Sequence, residues 1–451
     1  MQRHIFREYD IRGVVDRDLT DDTVLLIGKG FGTYLKRHGG RRASLGGDVR
    51  LSTARFRERI AEGLLSVGVD VVDIGTVPTP GFYYSLYELP VDGGVMITGS
   101  HNPPDMNGFK LNLGTESMYG EEIQKVLAII EKGDFEKGAG KRSSASVLDA
   151  YKDAIRTRIR LERPLKVVID AGNGCAGLVA CDLLASLGCE LVPLYCEPDG
   201  RFPNHHPDPT VLEYVRDLVA AVKRERADIG IGYDGDADRV GTIDERGEMV
   251  FADKVLALLA REVLAKGPAE IIFDVKCSQA LVEDVTAHGG TPVMWKTGHS
   301  LLKKKIKETG APIGGEMSGH MVLADDYYPF DDAIYASCRI LQMLSRSRVP
   351  LSQMVATIPM YFSTPEIRGE TADDETKFEI VRKAVLYFKA THDVIDVDGV
   401  RILFGDGWGL VRASNTQPVI VMRFEARTEA RLAEIQRAVT EKLREFGEIR
   451  Y

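Results

Sequence analysis

The sequence predicts an α/β fold: three similar mixed-sheet α/β domains plus a smaller C-terminal α+β domain around a central cleft. Three observations carry the prediction. Short runs rich in β-branched residues alternate with helical patterns over most of the 451 residues. The alternation recurs three times in the same order, as a weak internal repeat. After about Pro359 it gives way to strands around a turn and a closing amphipathic helix.

In each repeat a buried strand comes first: "ASLGGD" (43–48), "LKVVIDAG" (165–172) and "EIIFDVK" (270–276). A helical stretch and a second strand follow, "VDVVDIGT" (69–76), "CELVPLYCE" (189–197) and "TPVMWKTG" (291–298), at a separation suited to a βαβ crossover. Asp48, Asp170 and Asp274 close the first strands. A third strand then opens into a polar, glycine-containing loop: "GGVMITGSH" (93–101), "ADIGIGYDGD" (227–236) and "APIGGEMSGH" (311–320). Ligands gather at the carboxyl ends of strands in open α/β sheets, so these loops are where chemistry is expected. In the last segment "GVRILFGDGWGLVRASNTQPVIVMRFEA" (399–426) reads as strands and "TEARLAEIQRAVTEKLREF" (428–446) as a helix with Thr428 at its N-cap. The domains divide as 1–146, 147–248, 249–359 and 360–451, the last hinged on "ATIPMYFSTPEIR".

With 44% apolar and 28% charged residues the composition is that of a soluble enzyme, and a net charge of −9 argues against a nucleic-acid surface. Cations for an anionic ligand must therefore be concentrated locally. Six cysteines without a C-x-x-C pair suit reduced thiols. No apolar stretch reaches signal-peptide or membrane-span length, so a cytoplasmic protein with no membrane partner is expected.

The sharpest local signal is "DGDADR" (234–239). Asp234, Asp236 and Asp238 alternate with small residues, so three carboxylates can converge. Such a cluster is unfavourable unless a cation sits in it, and hard oxygen ligands point to Mg²⁺ or Ca²⁺. Arg239 stands where an EF-hand turn demands glycine, which sets that motif aside; a solvated acidic turn is the other reading. "TGSHNPPDMNGFK" (98–110) displays Ser100 beside His101 on a loop stiffened by Pro103 and Pro104, with Lys110 at its end. It is not a G-x-S-x-G elbow, and no Walker A motif is present. Beside an aspartate cluster the serine reads as a phosphoryl carrier; a turn-stabilising serine is the alternative.

"GEMSGH" (315–320) sets Glu316, Ser318 and His320 on one loop, suited to sugar hydroxyls and a proton transfer. "RASNTQP" (412–418) offers Arg412, Ser414, Asn415 and Thr416 to a phosphate, although turn duties would also explain the Ser-Asn-Thr run. "DAGNGCAG" (170–177) carries G-x-G-x-x-G at Gly172, Gly174 and Gly177, read first as a structural turn and second as a dinucleotide fingerprint. Arg7, Arg12, Lys276, Lys296 and His299 are further cations and a histidine in or beside these loops.

Taken in order, "REYDIRG" (7–13), "TGSHNPPDMNGFK", "DGDADR", "KTGHS" (296–300), "GEMSGH" and "RASNTQP" resemble the α-D-phosphohexomutase family, and within it the bacterial-type phosphomannomutase/phosphoglucomutase group. The resemblance implies four domains, one loop from each, and a phosphoserine mechanism. Ser100 would carry the phosphoryl group; Asp234, Asp236 and Asp238 would hold Mg²⁺ with an oxygen of that phosphoserine. Glu316 and Ser318 would read the sugar, and Arg412, Ser414, Asn415 and Thr416 the phosphate that is not reacting. Tyr9, Arg12, His101, Lys110, Arg239, Lys276, His299 and His320 would line the site, some of them moving protons. The implied partners are mannose or glucose 1- and 6-phosphates and a hexose 1,6-bisphosphate, with the enzyme a monomer or weak dimer. A phosphoglucosamine mutase, a non-catalytic sugar-phosphate-binding protein and a dinucleotide-dependent oxidoreductase are the rival readings. "TGSHNP" and "RASNTQP" lean away from the first of them.

Overall fold

The computed structural model describes residues 2–414 and 419–450; Asn415 and Thr416, both expected to bind phosphate, lie outside them. The chain forms two compact units, Met1–Val255 with Ser318–Gln353, and Leu256–Met317 with Met354–Tyr451.

The first unit holds two mixed sheets. In one, β1 (Ile11–Val14), β2 (Arg42–Gly47), β3 (Asp70–Thr76), β4 (Gly93–Ile97), β5 (Met106–Leu113), β6 (Glu116–Ser117) and β7 (Arg142–Ser144) lie in the order β1-β5-β4-β2-β3-β7, with β6 on β5. The other orders β8 (Lys166–Asp170), β9 (Glu190–Leu194), β10 (Ile229–Tyr233), β11 (Val240–Asp244) and β12 (Met249–Val250) as β12-β11-β10-β8-β9. In the second unit β13 (Glu270–Asp274) pairs with β14 (Thr291–Trp295) and β15 (Ile313–Gly315). β16 (Met321–Leu323) returns to the first unit.

The sequence repeat is therefore a topological one. In each copy the first strand is central, and the second and third lie parallel on either side of it: β2 between β3 and β4, β8 between β9 and β10, β13 between β14 and β15. After β4 and β10 the chain doubles back into an antiparallel partner, β5 and β11. Every residue of β4 and β10 is buried, as continuous apolar runs in a parallel sheet require. The third strands end at Ile97, Tyr233 and Gly315, and the polar, glycine-containing loops expected from the sequence follow each of them. Beyond them Ser100 bonds Asp234, while Glu316 and Met317 bond Gly298 and Asp274.

The fourth sheet is wholly antiparallel: β17 (Phe362–Ser363), β18 (Ile367–Glu370), β19 (Asp393–Ile395), β20 (Val400–Leu403), β21 (Gly407–Ala413) and β22 (Val419–Ala426), in the order β17-β22-β21-β20-β19 with β18 on β22. A helix over Glu429–Arg444 packs Ile435, Val439 and Leu443 into its core, and Thr428 Oγ1 caps it by accepting from Arg431 N at 3.2 Å, as the sequence predicts.

One buried carboxylate gives the first unit a testable pH dependence. Asp332 caps the helix Ala333–Arg346, accepting from Tyr335 N at 2.8 Å and from the hydroxyls of Tyr151 (2.9 Å) and Tyr327 (3.1 Å). Burial nevertheless outweighs these donors and pushes its carboxyl up to about 7. A carboxyl raised above its unfolded value adds stability that is complete below about pH 4 and is lost as the pH rises through 7, on the order of 4 kcal/mol in all. Asp332→Asn keeps the cap and removes the ionisation. The variant is expected to gain melting temperature relative to wild type at pH 8 and to keep only about a third of that advantage at pH 5. An equal difference at both pH values would refute the assignment.

Candidate active site

The loop after β4 is held by its own polar atoms. Ser100 N donates to Thr98 Oγ1 at 2.8 Å, Asn102 N to Gly99 O at 2.9 Å and Met106 N to Pro103 O at 3.0 Å. Ser100 sits at φ +48°, a left-handed conformation that costs a non-glycine residue roughly 1–2 kcal/mol and so marks a constrained position. Its hydroxyl, 1% exposed as a residue, donates to Asp234 Oδ2 at 2.8 Å and lies 3.2 Å from His101 Nδ1.

Asp234 opens the hairpin between β10 and β11. Its Oδ1 accepts from Asp238 N and Arg239 N, each at 3.1 Å, which winds the loop tightly and puts Ala237 at φ +62°. Gly235 is there because a Cβ would come within 2.5 Å of Ser100 O; the serine loop lies directly against the aspartate loop. Asp236 Oδ2 accepts from Thr79 Oγ1 (2.6 Å) and Thr98 Oγ1 (3.0 Å), tying both loops together again.

Asp234, Asp236 and Asp238 are all fully buried, with a carboxylate oxygen from each within 4.8 Å of the others. Lys110 on β5 reaches Asp236 at 3.2 Å and also pairs with Asp238. Burial works against the lysine's charge, yet the two carboxylates hold it well above the usual amine range. Burial, with the charges of Asp236 and Asp238, pushes Asp234 well up, whereas Lys110 and His320 overcome burial at Asp238 and hold it well down. Asp236 Oδ1 is buried without a hydrogen-bond partner. Three converging carboxylates, one with an unused oxygen, suit a divalent cation with a preference for hard oxygen ligands.

His320 Nε2 lies 3.2 Å from both Asp238 Oδ1 and Arg239 Nε, and its Nδ1 is 3.3 Å from Ser318 Oγ. Arg239 Nε is 4.0 Å from Asp234 Oδ2. Burial, with the charges of Arg239 and Arg12, holds the His101 imidazole well below its usual range. Arg12 on β1 is oriented by Asp10 at 2.7 Å, and Tyr9 and Arg7, both partly buried, immediately precede that strand.

The second unit assembles its own set. Asp274, at the end of β13, accepts from Met317 N, Cys277 Sγ and Thr297 Oγ1, each at 3.1 Å. Glu316 is buried and accepts from Gly298 N at 2.5 Å, just where the helix beginning at His299 starts. Asp398 Oδ2 accepts from Thr297 N (3.1 Å) and Arg412 Nε (2.9 Å). Glu316, His299 and Arg412 are thus joined through residues 297, 298 and 398. Lys276 lies between Asp274 (3.8 Å) and Glu366 (3.6 Å). Ser414 N donates to Val419 O at 3.0 Å, and Lys296 is exposed.

Sequence reasoning missed Asp10, Arg50, Thr79, Thr98 and Asp398, which orient the expected residues. It had marked Asp48 only as a strand end. The stretch "GDVRLS" (47–52) was the available signal, a charged pair set between a buried strand and a helix. The glycines of "DAGNGCAG" are spent on backbone packing, in keeping with a structural turn. A Cβ on Gly174 would meet Gly235 O at 2.6 Å, and one on Gly177 would meet Cys196 O at 1.9 Å.

Four family models match successive stretches of the chain. They are the phosphoglucomutase/phosphomannomutase alpha/beta/alpha domain I (residues 3–137), domain II (149–247), domain III (251–361) and C-terminal domain (366–442). The phosphomannomutase/phosphoglucomutase of Pseudomonas aeruginosa is 45% identical over 442 residues, which is 98% of this chain and 95% of that protein. The phosphoglucomutase of Neisseria gonorrhoeae is 44% identical over 440 residues, 96% of this chain and 95% of its own. Among solved structures, a phosphoglucomutase/phosphomannomutase family protein from Burkholderia thailandensis is similar at a TM-score of 0.93 and 42% identity, over 100% of both chains.

Proposed function

The chain belongs to the phosphoglucomutase/phosphomannomutase family, and from that premise we propose that it interconverts the 1- and 6-phosphates of a hexose, mannose or glucose or both. It is an isomerase that acts on hexose phosphates by intramolecular phosphoryl transfer. Phosphoserine at position 100 and a hexose 1,6-bisphosphate intermediate complete the reading. The observation that carries it is the Ser100 hydroxyl, in a strained backbone conformation, 2.8 Å from one of three buried, converging aspartates.

In the first half-reaction the free hydroxyl of the hexose monophosphate bonds to the phosphorus of phosphorylated Ser100 as the Oγ–P bond breaks, its proton leaving to a base of the site and Oγ taking one up as a hydroxyl. In the second, Ser100 Oγ–H gives up that proton and bonds to the phosphorus at the other end of the bisphosphate, the hexose O–P bond there breaks, and the sugar oxygen takes up a proton. Positioning and charge neutralisation supply nearly all of the catalysis in phosphoryl transfer. Asp234, Asp236 and Asp238, with an oxygen of the phosphoserine, would hold Mg²⁺, which when bound neutralises charge on the transferring group. Lys110 and Arg239 offset further negative charge. His101, neutral at neutral pH because its basicity is depressed, can accept a proton beside Oγ, and His320 is a second proton carrier next to Asp238.

Glu316 and Ser318 would accept from and donate to the sugar hydroxyls. Arg412 and Ser414, with Asn415 and Thr416, would grip the distal phosphate, and Tyr9, Arg12, Lys276 and His299 complete the lining. The four-domain division at 146/147, 248/249 and 359/360 belongs to the same proposal, supported by four sheets that follow these segments except for β12 (Met249–Val250), which joins the second sheet. So does a cytoplasmic monomer or weak dimer. Among the described residues no helix is long and apolar enough to cross a membrane.

Initial rates with the 1-phosphates of mannose, glucose and glucosamine, measured side by side with Mg²⁺ and a trace of hexose bisphosphate, test the assignment. Turnover is expected with mannose or glucose phosphate and to exceed that with glucosamine phosphate at least tenfold. A preference for the amino sugar would overturn it.

A further inference from the structure

The strain at Ser100 needs a counterforce, and one side chain stands out. Arg50 follows β2 and is fully buried, with 0% of its side chain exposed. Its guanidinium donates to four carbonyls of the serine loop. Nη2 bonds Ser100 O at 2.8 Å and Asn102 O at 2.5 Å, while Nη1 bonds Pro103 O at 2.6 Å and Met106 O at 2.9 Å. The remaining edge faces Asp48, Nε lying 3.2 Å from Oδ2. That same Oδ2 accepts from Gly99 N at 3.1 Å, so the pair grips the loop by a donor as well as by its acceptors. Asp48 is itself fixed by Arg50 N (3.0 Å) and Thr53 Oγ1 (2.6 Å). The ring of Phe202 lies 5.1 Å from the guanidinium carbon, and a Cβ on Gly99 would strike Nε at 2.4 Å. The loop and the arginine fit each other with no room to spare.

The repeat supplies an internal control. Asp48, Asp170 and Asp274 occupy equivalent strand ends, and two residues beyond them stand Arg50, Gly172 and Lys276. The copy whose third strand leads to the serine is the one with the buried guanidinium. A guanidinium is suited to this role and an ammonium is not, because its planar fork presents five donors at fixed angles.

We propose that Arg50 is a positioning residue for phosphoryl transfer: its guanidinium fixes the backbone of residues 100–106 so that Ser100 keeps its left-handed conformation and presents Oγ to the aspartates. The inference rests on the reading of Ser100 as the phosphoryl carrier. Arg50 is fully buried and bonds Ser100 through its carbonyl rather than through Oγ, so the effect of losing it falls on transfer rather than on sugar binding. A displacement of about 1 Å at the reacting atom is enough for a loss of about 100-fold.

The test compares Arg50→Ala, Arg50→Lys, Gly99→Ala and Ser100→Ala in the full chain, with hexose 1-phosphate as substrate and folding checked by thermal melting. Arg50→Ala is expected to lose kcat by about 100-fold while KM moves less than about threefold, and millimolar guanidinium is expected to restore about tenfold of the loss. Arg50→Lys is expected to fall between, since one ammonium cannot serve four carbonyls. Gly99→Ala, which pushes the guanidinium away while leaving it in place chemically, is expected to share the kcat defect. The rate at which hexose 1,6-bisphosphate phosphorylates the protein, followed by intact mass, should fall in parallel with kcat. Folded Arg50→Ala or Gly99→Ala protein with kcat near wild type, or with its loss confined to KM, overturns the proposal. If Arg50→Ala does not fold, Arg50→Lys and Gly99→Ala decide by the same criteria. An active Ser100→Ala would instead remove the phosphoserine reading, so the two failures are told apart.

Discussion

Ser100→Ala is expected to abolish mutase activity, by about 10⁴-fold or more, while leaving the fold nearly untouched. The two magnitudes come from different physics. In the folded protein the hydroxyl contributes one hydrogen bond to Asp234 Oδ2 and a contact with His101, and deleting one such bond costs about 1–2 kcal/mol. In the reaction the same oxygen would be the atom that carries the phosphoryl group. Removing a covalent carrier takes away both half-reactions, and losses of that kind reach about 10⁴- to 10⁶-fold. A stability change of a few degrees in melting temperature beside a total loss of turnover is therefore the signature of a carrier, and comparable losses of both are the signature of a turn. Intact mass reads the same atom directly. Wild type incubated with hexose 1,6-bisphosphate should gain one phosphoryl group, which hexose monophosphate then removes. The alanine variant should gain none. Activity at wild-type level in that variant, or its phosphorylation to the same extent, would end the phosphoserine reading.

What could be read in the sequence, and what could not, divides by the range of the interactions. "DGDADR" is legible because its three carboxylates are brought together by one hairpin, with Asp234 Oδ1 bonding the amides of residues 238 and 239 inside the motif itself. The threefold repeat is legible because it is a periodicity of strands, and Thr428 because a cap acts three residues away. Ser100 could be seen but not understood. Its loop is held not only by Pro103 and Pro104 but by Arg50 and Asp48, some fifty residues earlier in the chain. Asp398, which orients Arg412, and Thr79, which anchors Asp236, are ordinary residues in ordinary surroundings until the fold brings them together. The polar residues after Ile97 and Tyr233 are likewise placed by each other's loops, Ser100 Oγ bonding Asp234 and Thr98 Oγ1 bonding Asp236 across more than 130 residues of chain.

The second large effect is expected at Lys110, and it separates two cations that draw on the same carboxylate cluster. Lys110 is buried on β5 against Asp236 and Asp238. Lys110→Met keeps the bulk and removes the charge, leaving two buried carboxylates without their partner. Breaking a buried pair in this way costs about 3–5 kcal/mol, which for a unit of this size is roughly 10 °C in melting temperature. That loss is expected in the presence of a chelator. Millimolar Mg²⁺ should recover most of it, because a ligand that binds only the folded state adds about 2.7 kcal/mol at a hundred times its Kd. The wild-type melting temperature should respond less, since there the lysine already offsets part of the negative charge. For the same reason the variant should bind the divalent ion more tightly than wild type, a positive charge having left the cluster. Activity should move the opposite way, falling about 100- to 1,000-fold even with the ion bound, as expected when a charged group aimed at the developing charge is removed. Tighter metal binding with slower turnover is not what a structural lysine would produce: its loss would weaken both together. Calorimetric titration with Mg²⁺, melting with and without chelator, and kcat at saturating metal measure the three quantities, and a weaker affinity for the ion in Lys110→Met would show that Lys110 does not share its site.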